Sequence, residues 1–192
     1  MNKKAVRGQE MYENLFYSIV GCHAGENIKD IIERKQKEIL ASGISLWSAK
    51  IDKMSKKIVW QLSESAEVTV LCKFSKSAKD PVVGNPYFAR KYVYAKSEVN
   101  VPSGVFCSFE KGRDYQAYVI KEYEVLESPM SFDFGKYDSQ NSKGEVVPFA
   151  DRFKSTYFQN VYGKRNGSSL AVCEKEISLI MKLQYPFVVD VK

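Results

Sequence analysis

The chain reads as an α+β protein: a curled, mostly antiparallel sheet or small open barrel, with flanking helices near both ends. Three observations predict this. The middle of the chain is a succession of short apolar or alternating runs separated by turn residues. Helical periodicity is confined to segments nearer the termini. Aromatic residues are plentiful, with 12 Tyr, 11 Phe and 2 Trp, and such rings suit half-buried pleated surfaces. The 192 residues and a hydrophobic share of 44% suit one domain with a sizeable core, residues 15–192, preceded by a loose polar arm over 1–14.

The run LFYSIVG, Leu15 to Gly21, is short, apolar and aromatic, as a buried strand requires. Asn27 is a good helix N-cap, and Asp30 three residues later completes a capping-box-like pattern. Ile28, Ile31, Ile32, Ile39 and Leu40 then fall on one helical face, with Lys29, Glu33, Arg34, Lys37 and Glu38 largely elsewhere. Gly43 is placed to close that helix as its C′ residue. Ile44 to Ile51 reads as a second strand, which makes a βαβ unit plausible. Asp52 suits the cap of a shorter helix carrying Met54, Ile58, Val59 and Leu62, and Ala66 to Phe74 alternates as a strand.

Pro81, Gly84 and Pro86 then interrupt regular structure in a long loop that is basic at both ends. Strand-like runs follow over Lys91–Val99, Val105–Phe109 and Tyr115–Leu126, divided by turns at Pro102–Gly104 and Lys111–Asp114. MSFDFGKYD and GEVVPF add two short strands around Ser139–Gly144. Pro148 suits the start of a helix through Phe153, Tyr157 and Val161. Ser169 is placed to cap a final helix with Leu170, Cys173, Ile177, Ile180 and Met181 on its apolar side, and YPFVVDV closes the chain as a strand.

The formal net charge is +6 and the isoelectric point about 9.0, so the expected partners are anions: nucleic acid, a nucleotide, or an acidic protein surface. Four cysteines without a C-x-x-C pair argue against a zinc knuckle or a disulfide scaffold and for free thiols in the cytoplasm. The start of the chain lacks the apolar core of a signal peptide, and no window is apolar enough to span a membrane. A single histidine excludes multi-histidine metal sites, and no cofactor motif is present.

Two stretches carry candidate ligand contacts. In GCHAGEN, Gly21, His23, Gly25 and Asn27 surround a helix start whose free N–H groups and dipole attract anions; the alternative is a plain strand-to-helix corner. In YFARKYVYAKSEV, Arg90, Lys91 and Lys96 interleave with Tyr92 and Tyr94, as binding to single-stranded nucleic acid requires; the alternative is an edge strand protected by lysines. Trp47 is a further stacking candidate. Cys22 and His23 are adjacent, and neighbours on a strand point to opposite faces, which disfavours a thiolate–imidazole pair.

The run from Tyr17 to Glu26, with RKQKEI and GISLW after it, is similar to small uncharacterised prokaryotic proteins that open with a strand, GxH, helix and SLW pattern. The resemblance covers the first quarter of the chain and implies no particular activity. The basic, aromatic-rich αβ layout more loosely resembles PUA-like domains of the EVE and ASCH group, a resemblance that implies a small mixed barrel binding RNA or modified bases. The leading expectation is therefore a non-enzymatic binding domain for nucleic acid or a nucleotide. The alternatives are a phage-type interaction protein that inhibits a host defence system, and a hydrolase or transferase using Cys22 or His23.

Overall fold

The computed structural model describes residues 12–21, 27–48, 51–75, 91–94, 97–100, 115–152, 159–164 and 173–191. In chain order the elements are β1 (Asn14–Val20), α1 (Ile28–Ser42), β2 (Ser45–Ser48), α2 (Lys53–Gln61), β3 (Val68–Phe74), β4 (Lys91–Tyr94), β5 (Ser97–Asn100) and β6 (Tyr115–Asp133). A 3₁₀ turn at Phe134–Lys136 leads to β7 (Tyr137–Gln140), β8 (Val146–Pro148), the single helical turn α3 (Phe149–Arg152), β9 (Gln159–Lys164) and β10 (Glu174–Val191). The described strands form an open sheet in the order β2-β6-β10-β3-β1-β9-β7-β8, with the β4–β5 hairpin attached to β10.

The protein is thus α+β, and one described pairing is parallel, β1 with β3. The expected βαβ neighbours are separated: β2 lies beside β6, antiparallel, and the parallel partner of β1 comes only after α1, β2 and α2. The sheet is buried on both sides at its centre. Phe16, Val70, Cys72, Leu179 and Met181 join one cluster with Ile31 and Ile32 of α1 and Val59 of α2. Tyr17, Leu71 and Ile180 join Phe134, Tyr137 and Phe149 in a second. Ile177 belongs to the second cluster and Leu179 to the first, although residues two apart on a regular strand share a face. The register shift between them exchanges the faces.

Two expected helices are corrected. Cys173 precedes β10, and Ile177, Ile180 and Met181 lie within that strand, with no helix over 173–181. Residues 177–181 are all buried, and a short apolar run covered on both sides has the same sequence signature as a buried helix segment. Ser169 and Leu170 lie outside the described residues. Of the helix expected from Pro148 through Val161, α3 (Phe149–Arg152) is described, Phe153 and Tyr157 lie outside the described residues, and Val161 instead pairs with Leu15 as part of β9. The described helices of more than one turn, α1 and α2, both precede β3 in the chain.

The caps of α1 form as the sequence indicates. The Asn27 side chain accepts the Asp30 N–H at 3.0 Å, and Gly43 closes the helix at φ 79°, donating its N–H to Ile39 O at 2.7 Å. Leu40, expected on the apolar face, is 87% exposed, whereas Lys35 and Glu38 are buried. The packed stripe runs through 31, 32, 35, 38 and 39, and Leu40 lies one position beyond it.

Candidate anion-binding face

Helix α2 carries three lysines within its first five residues, Lys53, Lys56 and Lys57. Asp52 caps it, accepting the Ser55 N–H at 2.8 Å. Ser55 and Val59 are buried against the sheet. At 100° per residue this sends Lys53, Lys56, Lys57 and Trp60, spaced i, i+3, i+4 and i+7, to the other face. With Gln61 they line a groove of about 420 Å³. Lys53 and Lys57 are exposed.

Lys56 is held differently. Its ammonium sits 2.6 and 2.7 Å from the two carboxylate oxygens of Asp190 on β10, and 4.5 Å above the Trp60 ring. Trp60 Nε1–H donates to Val188 O on the same strand at 3.3 Å. Gln116 of β6 donates to Asp190 at 3.4 Å and accepts the Ile51 N–H at 3.3 Å, linking the chain before α2 to the end of β10. That end also carries β4: Asp190 is in register with Val93, and Val191 with Tyr92. The fold therefore brings strand β4, Lys91–Tyr94, to the end of β10 that Lys56 of α2 contacts.

The other predicted site residues are dispersed. Gly21 closes β1 against the end of β3, where Ser75 N–H donates to Val20 O; a Cβ on Gly21 would come 3.3 Å from Ser75 Cβ, a tight contact with that side chain. Asn27 spends its side chain on Asp30, whose carboxylate already complements the start of α1. Trp47 is corrected as a stacking platform. It is 9% exposed, with the Lys35 ammonium 5.2 Å from its ring and Tyr123 at 6.3 Å edge-on. Lys91, Tyr92 and Tyr94 are placed by their backbone in β4. Cys22, His23, Gly25, Arg90 and Lys96 lie outside the described residues.

A buried polar group of α1 and β2 resembles catalytic machinery by composition alone. Lys35 donates to Leu46 O, Ser45 donates to Glu38 at 2.6 Å, and Arg34 pairs with Glu38 at 3.0 Å. These contacts tie charged groups to fixed partners and fasten the helix to the sheet. Burial pushes the Cys72 thiol well up, and Cys173 is raised chiefly by burial, so neither is poised as a thiolate. No group of three His, Cys, Asp or Glu among the described residues is arranged to hold a metal ion, and no described helix is long and apolar enough to cross a membrane.

No family model matches the chain, and no curated protein or solved structure matches it. Sequence reasoning identified α2 as a helix but passed over its basic face. The signal was present in KMSKKIVW as the i, i+3, i+4, i+7 spacing of Lys53, Lys56, Lys57 and Trp60.

Proposed function

We propose that this protein is a non-enzymatic binding domain for nucleic acid or a nucleotide, and that the exposed face of α2 forms part of the contact surface. The observation that carries the reading is the alignment of Lys53, Lys56 and Lys57 along one groove beside Trp60. Exposed lysines neutralise phosphates, and β4, whose sequence holds a further lysine and two tyrosines, pairs with the end of β10 that Lys56 contacts. The net charge of +6 draws polyanions toward the molecule at long range. A cytoplasmic setting and the PUA-like resemblance belong to the same proposal.

The test is a fluorescence-anisotropy titration of labelled single-stranded oligonucleotides across a salt series. Binding should be micromolar at low salt and weaken as salt rises. Lys53→Ala with Lys57→Ala should flatten the slope of log K against log salt by about 1.4, two contacts at about 0.7 each. Unaltered binding by the double variant would remove α2 from the surface. A nuclease-resistant complex with an acidic protein that excludes oligonucleotide would reassign the lysines to a protein partner.

A further inference from the structure

The Lys56–Asp190 pair sits inside the proposed binding groove, and its geometry assigns it a role there. Both carboxylate oxygens of Asp190 lie within hydrogen-bond distance of the Lys56 ammonium, at 2.6 and 2.7 Å, so an oxyanion already holds the charge that a phosphate would seek. The side chains keep 18% and 29% of their exposure, so the pair is half-dry yet open to solvent. Helix α2 does not depend on this pair alone for its seat, because Ser55 and Val59 are buried and Trp60 Nε1–H donates to Val188 O. Lys56 is nevertheless on the groove face, between Lys53 and Lys57 in the sequence. Asp52, the other acidic residue beside these lysines, uses its carboxylate on the Ser55 N–H.

We propose that Asp190 is a built-in competitor for the anionic ligand: it occupies the phosphate position of Lys56, so that the resting groove binds through Lys53 and Lys57 and engages Lys56 only with an anion able to displace a carboxylate. This rests on the nucleic-acid or nucleotide reading of the same face. A carboxylate carries one negative charge shared over two oxygens. A terminal phosphate carries about 1.5 to 2 charges over three oxygens, and so competes better for the ammonium. The groove would therefore discriminate between anions by charge density, favouring terminal phosphates over carboxylates and over the singly charged diesters within a chain.

Oligothymidylate binding by wild-type protein, Asp190→Asn, Lys56→Met and the double variant tests this. Asp190→Asn keeps the side-chain shape and frees Lys56. It should tighten binding about threefold to tenfold and steepen the salt slope by about 0.7, one additional phosphate contact. Lys56→Met alone should cost less affinity than Lys53→Ala, because Asp190 already occupies its ammonium, and in the Asp190→Asn background it should abolish the gain. A folded Asp190→Asn protein with unchanged or weaker binding overturns the proposal, as does a loss from Lys56→Met equal to that from Lys53→Ala. If wild type binds through Lys53 and Lys57 while Asp190→Asn is silent, only the role of Asp190 falls. If neither protein binds any oligonucleotide at low salt, the nucleic-acid reading falls with it.

Discussion

Lys35 and Glu38 each keep only 5% of their exposure, in a helix whose sequence suggests that its charges face water. Charged residues are rarely this buried unless partnered, and here the partners are specific: Leu46 O for Lys35, and Arg34 and Ser45 for Glu38. Glu38→Ala should therefore cost about 1–3 kcal/mol by leaving the Ser45 hydroxyl without this acceptor, whereas Leu40→Lys should stay within about 0.5 kcal/mol of wild type. Urea midpoints at constant m-value measure both. Equal costs would mean that α1 is rotated about its axis. The sequence pattern could not separate these positions. Hydrophobic periodicity marks a stripe by residue type, while Lys35 and Glu38 enter the stripe through hydrogen bonds formed with β2, some ten residues on. The burial of Trp47 is not separable in sequence for the same reason: a tryptophan looks alike in a stacking platform and in a core.

At the scale of elements, the ends of α1 were legible because caps are local. Asn27, Asp30 and Gly43 act within four residues of the groups they satisfy. Gly43 holds a positive φ of 79°, so Gly43→Ala should destabilise the protein by about 1 kcal/mol, read as a lowered thermal midpoint. An unchanged midpoint would show that the αL turn does not form. Strand β10 was illegible over residues 177–181, where the chain is buried on both faces and the alternation that marks a strand is lost. The α2 groove was half legible. Its lysine spacing is written in nine consecutive residues, but Asp190 is 134 positions from Lys56 and no local pattern links them.

For the whole molecule, the α+β class and open sheet were legible from the count and spacing of strand-like runs. Strand order was not, since the pairing of β1 with β3 and of β10 with β6 and β3 is set by long-range burial. That burial has a consequence for pH. Tyr17, Tyr118 and Tyr123 all have raised phenol pKa values, caused first by burial, with Cys72 adding to each. Their stabilising contribution is complete below the ordinary value of 10.0 and is lost as pH rises above it toward the folded-state values, because the unfolded chain ionises first. Stability should fall by about 1.4 kcal/mol per pH unit for each such phenol, with phenolate absorbance from these rings emerging only on unfolding. Early, fully reversible titration of all 12 tyrosines without unfolding would contradict this burial.

In the proposed reading, the basic face of α2 holds a polyanion. The salt dependence of oligothymidylate binding, measured side by side for wild type and the Lys53→Ala, Lys57→Ala variant, tests it most directly. Affinity should decline steeply with salt in wild type, with a slope flatter by about 1.4 in the variant. Two superimposable lines, or no binding by wild type at low salt, would contradict it.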